Sequence, residues 1–254
     1  MALTSVTIVH NLERIQYPAI PFSIDSVLPV VEQAIIVNCG PHDDGTDALV
    51  REYALRNPKV VVINDKWPTI HSGLSLVTNT GLLASRTEWA FALQGDEIVP
   101  EWSLDALREL DALPRYIKAA KFNFTHYCGD RHHTFPFVYQ SVVRACRRSS
   151  MYRAVGDAAE FAGVGAVYQS NVNIHHVGKM HTGRASAGAL KEFEFQSKLY
   201  KDLFKTDPLV VEAHKSGEIN YFKVFASAVE RGEVSEYNGP WPAEMLKWLE
   251  SLGA

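Results

Sequence analysis

Residues 89–97 read WAFALQGDE: five apolar residues, Trp89–Leu93, run straight into a polar cluster, Gln94-Gly95-Asp96-Glu97. An apolar run of strand length, bounded by turn residues, suits a strand buried on both faces. The same arrangement recurs upstream. Ser5–Val9 is a β-branched run ending at His10-Asn11, Ala34–Val37 is halted by Asn38-Cys39-Gly40, and Val60–Ile63 is stopped by Asn64-Asp65. Helical stretches separate these runs. Ile24–Glu32 has helical spacing with Pro29 inside it, Asp44-Gly45-Thr46 opens a helix to about Arg56, and Thr69–Ser85 and Trp102–Leu113 follow. Four strands alternating with helices predict an α/β chain: a mostly parallel, doubly wound sheet with helices on both faces. In such sheets ligands bind beyond the carboxyl ends of the strands. His10-Asn11, Asn38, Asn64-Asp65 and Gln94–Glu97 are therefore expected to share one crevice.

After Leu113 the pattern changes. Tyr116–Phe124, Val138–Ala145 and Asn171–His176 read as strands with weaker alternation, and Leu190–Phe204, Glu212–Gly217, Phe222–Arg231 and Ala243–Leu252 read as helices. The second half is expected to complete the same sheet and then wrap helices around it. The 254 residues, 46% apolar and 21% charged, exclude disorder and fibrous repeats. No apolar stretch approaches the ~18 residues of a membrane helix. The N-terminus MALTSVTIVHN has no basic region, so no signal peptide is expected. Cys39, Cys128 and Cys146 form no CxxC, which argues against a disulfide framework and fits a reducing, cytoplasmic setting.

Charge is unevenly divided. Residues 1–112 hold 7 Lys+Arg against 15 Asp+Glu, whereas residues 113–153 hold eight basic residues and one acid, Asp130. Eight Phe and Tyr residues interleave with those cations. A basic, aromatic segment suits an anionic partner, and equally a solvated basic strand pair.

No GxGxxG follows the first strand, and there is no P-loop, GxSxG elbow or HExxH. The clearest chemical feature is the acidic end of the fourth strand. A carboxylate there can hold a hard divalent cation, which can neutralise a diphosphate. Acids at strand ends also serve as caps and salt-bridge partners.

In ordered pieces the chain resembles glycosyltransferase family 2, of the GT-A fold. Ile35–Thr46 (IIVNCGPHDDGT) is similar to that family's second-strand segment, and Asn79-Thr80-Gly81-Leu82 to its N-x-G-L helix. Phe91–Glu97 lies where the family carries DxD. Gly156-Asp157-Ala158 and His176-Val177-Gly178 resemble a branch that reads QxDE, GDA and HxG. The resemblance implies a GT-A catalytic domain over residues 1–185. Residues 1–112 would form its donor half, 113–185 its acceptor and metal-completing half, and 186–254 a helical extension packed on the same body.

Residue by residue, the resemblance implies Asp96 and His176 as ligands of Mn²⁺ or Mg²⁺, with Gln94 a neutral replacement for the first carboxylate. Asn38 stands where an Asp reads the nucleobase, and His10 and Asp65 would flank that base. Asp157 matches the general base of inverting members, with Glu160 as competitor. Lys179 and Arg184 would grip the diphosphate. Arg131, His132, Arg147 and Arg148 would meet the acceptor. The expected donor is a nucleotide-sugar, with UDP foremost. The expected acceptor is a glycan, an anionic polymer or hydroxymethylated DNA, with no integral membrane association. A nucleotide-sugar hydrolase or pyrophosphatase, and a non-catalytic sugar-nucleotide or nucleic-acid binding module, remain open alternatives.

Overall fold

A computed structural model describes residues 3–11, 19–67, 73–128, 130–134, 140–148, 152–156, 158, 160–163, 165–178 and 235–251. Four strands build its amino-terminal half: β1 (Leu3–Val9), β2 (Gln33–Gly40), β3 (Val60–Lys66) and β4 (Trp89–Ala92). They lie in the order β3-β2-β1-β4, and every pairing among them is parallel. Helices α1 (Thr46–Arg56) and α2 (Gly73–Ala84) connect them.

Both faces of this half-sheet are covered, which is why its strands are apolar without alternation. Leu3, Ile36 and Phe91 pack with Val50 and Tyr53 of α1 in one core. Val6, Ile35, Val37, Ala90 and Ala92 pack with Val77 and Leu82 of α2 in another. The α/β class and the two helical faces expected from the sequence are present. Gly81 lets α2 sit close, because a Cβ there would come within 2.3 Å of Val6 Cγ1 and 2.9 Å of Val37 Cγ2.

The second half joins the same sheet. Strand β5 (Glu97–Ile98) and the short helix α3 (Leu104–Arg108) precede β6 (Ile117–Cys128), β7 (Asp130–Thr134) and β8 (Ser141–Arg147). The β9 (Arg153–Val155)–β10 (Glu160–Ala162) hairpin comes next, then β11 (Ala166–His176), β12 (Ser235–Glu236) and α4 (Ala243–Ser251). Strand β8 runs antiparallel to both β4 and β6, whereas β11 runs parallel to β6 and antiparallel to β5. Helix α4 packs Met245, Trp248 and Leu249 against Ile98, Tyr127 and Val177.

Two helix expectations need correction. Residues 26–30 form turns, because Pro29 lacks an amide proton and disfavours helical geometry at Leu28. Ser26 instead uses its hydroxyl to bond the Ser23 carbonyl at 2.6 Å and receive the Val99 amide at 3.1 Å. The Trp102–Leu113 stretch is α3 flanked by 3₁₀ turns at Glu101–Ser103 and Glu109–Ala112, curving so that Leu107 and Leu110 are both fully buried. The helices expected over 190–231 lie outside the described residues.

Candidate functional site

The parallel register carries the strand ends to one edge of the sheet. Val9 pairs with Asn38 and Asn38 with Asn64, so His10, Asn38, Asn64 and Asp65 are neighbours. Strand β4 lies on the other side of β1 and delivers Gln94–Glu97 to the same edge.

Around β1–β3 the polar groups form a determined network. The Asn11 amide donates to His42 Nδ1 at 3.2 Å, so that nitrogen is bare and Nε2 carries the proton. His42 Nε2 then donates to Asn38 Oδ1 at 2.8 Å. Asn38 Nδ2 donates to Asp47 Oδ1 at 2.8 Å and to Asn64 Oδ1 at 3.2 Å. The Asn38 amide is thereby fixed in orientation, with both of its protons committed inside the protein. A cleft of about 340 Å³ opens beside it, with Asn38, Asp47 and Asn64 at its polar end and Val50, Leu55 and Val62 along its wall. His10 donates from Nδ1 to the Cys39 carbonyl at 2.6 Å and stacks on Trp67, with ring centroids 4.2 Å apart and planes 10° from parallel. Asp65 accepts from the Thr80 hydroxyl at 2.9 Å and from the Lys66 amide at 2.8 Å.

At the β4 end, Gln94–Glu97 is a closed turn. The Glu97 amide bonds the Gln94 carbonyl at 3.1 Å, and Glu97 Oε2 accepts the Gln94 amide at 2.9 Å. The single Ser23 hydroxyl proton is shared between the Gln94 carbonyl at 3.0 Å and the Glu97 backbone carbonyl at 2.6 Å. Glu97 is fully buried and ion-paired to the equally buried Arg144, whose Nη1 also donates to the Ala158 carbonyl at 3.2 Å. Glu97 is thus a structural acid that anchors the turn.

That turn sets Asp96 against the exit of β11. The Val177 amide donates to the Asp96 carbonyl at 2.8 Å, and Asp96 Oδ2 lies 3.1 Å from His176 Nε2. Burial opposes ionisation of Asp96. The charge and hydrogen bond of His176 outweigh it, with Arg144 adding, and the carboxyl is held below its ordinary value. The carboxylate lies where a side chain at 178 would stand: a Cβ on Gly178 would fall 2.1 Å from Asp96 Oδ2. Two ligands in cis positions on an octahedral ion, with bonds of about 2.1 Å, stand about 3.0 Å apart. The Asp96–His176 spacing fits that requirement, with one oxygen and one imidazole as donors. Among the described residues no group of three His, Cys, Asp or Glu side chains is assembled for a metal ion. A cation here would complete its coordination with ligand oxygens and water.

His175 and His176 are adjacent at the end of β11. The two point to opposite faces, yet both are buried, because each face is covered. His176 meets Asp96 and His126. His175 lies among Tyr127, Tyr237 and Trp102, with its Nδ1 2.7 Å from the Tyr127 hydroxyl, and burial pushes its pKa down to about 3.

The basic segment is not one surface. Arg147 faces inward, donating to the carbonyls of Ile117 at 2.9 Å and Leu113 at 2.6 Å, pairing with Glu88 and lying 4.6 Å over the Trp89 ring. Because Trp89 begins β4 and pairs with Arg147, Arg147 and Arg148 sit at the end of β4 opposite Asp96. This corrects their grouping with the crevice. Arg131 and His132 lie on β7 beside Trp241, with the Arg131 guanidinium 4.6 Å over the indole and the His132 ring edge-on at 5.2 Å. Asp157, Lys179 and Arg184 lie outside the described residues. Glu160 is in β10, opposite Val155. Gly156 and Ala158, on either side of Asp157 in the chain, both have left-handed φ, at 61° and 66°. Asn79 holds this hairpin to α2 by donating to the Ala154 carbonyl at 2.9 Å and accepting its amide at 2.8 Å.

The sequence reading missed His42, His126 and Arg144 as parts of the site. His126 and Arg144 act through partners distant in sequence that only the strand pairing reveals, whereas His42 acts through Asn38, four residues before it.

No protein-family model matches the chain, and no curated protein sequence matches it. Among solved structures, the chain is similar to S. aureus TarS 1–349, at 14% identity and a TM-score of 0.35, over 50% of this chain and 36% of that one. The same TarS fragment in complex with UDP-GlcNAc matches at 15% identity and a TM-score of 0.35, and TarS at 16% and 0.36. The chain spans about a third of the TarS fragment and 22% of TarS.

Proposed function

We propose that this chain is an inverting glycosyltransferase of GT-A architecture that takes a sugar from a nucleotide-sugar, UDP-linked foremost, with the help of a divalent cation. The observation that carries this reading is the Asp96–His176 pair, 3.1 Å apart at the carboxyl edge of a parallel sheet. The His10–Trp67 stack and the Asn38 network stand along that same edge.

Asp96 and His176 would hold Mn²⁺ or Mg²⁺, which supplies positive charge where the diphosphate leaving group departs. Gln94 leaves that side neutral, so the charge balance rests on Asp96 alone. The nucleobase would be read at Asn38 Oδ1, since the amide protons are committed, with His10 and Asp65 flanking. Lys179 would add a cation for the diphosphate. The acceptor hydroxyl is a poor nucleophile until a base takes its proton, and Asp157 takes that role, with Glu160 its competitor. Arg131 and His132, beside the Trp241 indole, are the surface we assign to the acceptor. Because Arg144 and Arg147 are consumed inside the fold, that surface suits a glycan better than a long polyanion. Among the described residues no helix is long and apolar enough to cross a membrane.

The test combines calorimetry of UDP with and without Mn²⁺ and product analysis over a panel of nucleotide-sugars. Transfer to an added acceptor, including hydroxymethylated DNA, supports the reading. Free sugar alone replaces it with a hydrolase, and binding without turnover with a binding module. Asp96→Ala should abolish the metal-dependent part of UDP affinity; an unchanged value rejects Asp96 as ligand.

A further inference from the structure

His126 has no part in the reaction described so far, yet it is buried at 3% exposure against the residue on which the metal reading depends. Strands β6 and β11 run parallel with His126 opposite His176, so the two side chains project from the same face. Their Nδ1 atoms are 3.2 Å apart and their rings meet edge-on, with centroids at 5.0 Å. The His126 ring is held from behind by Phe124, stacked at 5.5 Å and 15°.

Two ring nitrogens at hydrogen-bond distance must share one proton. The other nitrogen of His176, Nε2, is the one 3.1 Å from Asp96 Oδ2. Its Nδ1 therefore cannot be left to solvent, and its bond to His126 fixes both the tilt of the ring and the nitrogen that carries the proton. A ligating imidazole needs such a partner on its second nitrogen to present a bare, correctly aimed first one. The Asp96 side of the ring cannot supply it, because that side faces the cation position.

We propose that His126 is the positioning residue for His176: through the Nδ1–Nδ1 hydrogen bond it aims His176 Nε2 at the space shared with Asp96. His126 thus keeps His176 Nδ1 hydrogen-bonded while Nε2 serves as the ligand. This inference rests on the metal-dependent reading above.

The test compares wild type with His126→Phe, which keeps the ring and its stack on Phe124, and with His126→Asn, whose amide places a polar atom near the position of Nδ1. Mn²⁺ affinity is measured calorimetrically in the presence of UDP, and the tautomers of both histidines are read from imidazole ¹⁵N shifts in the metal-free protein. His126→Phe should weaken Mn²⁺ binding by roughly 10–100-fold and scramble the His176 tautomer. His126→Asn should restore most of the affinity. Unchanged affinity and tautomer in His126→Phe overturn the proposal. If that variant does not fold, wild type alone decides: one Nδ1 of the pair must be protonated, and finding both bare overturns the proposal. Wild type that binds no Mn²⁺ but shows the shared proton sinks the metal reading, while the His126–His176 bond stands.

Discussion

Gly178 matters because of what it leaves out. Its φ lies outside the left-handed region, so the backbone accepts alanine, but the added methyl would occupy the position of the Asp96 carboxylate. Gly178→Ala should therefore fold normally while metal-dependent UDP affinity drops about tenfold or more, as when the orientation of a ligand is lost. Calorimetry with and without Mn²⁺ beside a thermal melt separates the two effects, and equal loss of both would mean that the fold was damaged. Asp157→Asn should keep donor binding and lose transfer by roughly 10²–10⁴-fold, as expected for a general base. Near-normal turnover alongside a dead Glu160→Gln moves the base to Glu160. His175 makes a different contribution. Its folded pKa of about 3 lies well below the unfolded value of about 6.5. The unfolded chain therefore binds a proton that the folded chain refuses. Stability falls as pH drops from about 6.5 toward 3, by at most about 1.4 kcal/mol per pH unit. His175→Gln, which keeps a partner for Tyr127, should flatten urea-unfolding free energies across that window; an unaltered slope would show that other groups govern the acid side.

Helix α2 and the Glu97–Arg144 pair test the packing of whole elements. Gly81→Ala drives a methyl into Val6 and Val37 and should cost about 1–3 kcal/mol, read as a lowered urea midpoint. Removing Arg144 alone leaves Glu97 buried and uncompensated, so Arg144→Met should cost about 3–5 kcal/mol, whereas Glu97→Gln with Arg144→Met should recover most of it. If the double variant is as unstable as the single one, the bond to Ala158 is the larger contribution. These elements also mark how far the sequence could be read. The buried runs Ala34–Val37 and Trp89–Leu93 were legible because covering both faces removes polar residues from a strand. The polar stops after them were legible because the strand ends open to solvent. Strand β6 beside β11 was not legible, since parallel pairing across some fifty residues leaves no local periodicity. For the same reason His126 could not be matched to His176. Charge counting could not separate Arg147 from Arg131, because the partners of Arg147 are largely backbone carbonyls, which no side-chain pattern reports.

Across the whole molecule, the acidic first half and basic second half suggest a large electrostatic field, but the buried arginines reduce it. Arg147→Ala should lower stability by at least about 2 kcal/mol, since the carbonyls it satisfies lose their donor. It should leave the salt dependence of any polyanion binding unchanged. Arg131→Ala should instead reduce the slope of log affinity against log salt by about 0.7–0.9 for each phosphate contact removed. Titration of single- and double-stranded DNA at several salt concentrations distinguishes these, and a wild type with no salt-dependent binding removes nucleic acid as a partner. The parallel β6–β11 pairing has one further consequence, in the order of assembly. Asp96 and His176 stand eighty residues apart in the chain, and a ribosome adds about 5–20 residues per second. From the end of β6 at Cys128 to the end of β11 at His176 is some fifty residues, so for roughly 2–10 s the edge of β6 in a growing chain still waits for its partner. Closing so long a loop makes β11 a late arrival in folding as well. During that interval the open β6 edge is where nascent copies of this chain would stick to one another, and β11 is both the strand that completes the crevice and the one that ends the danger.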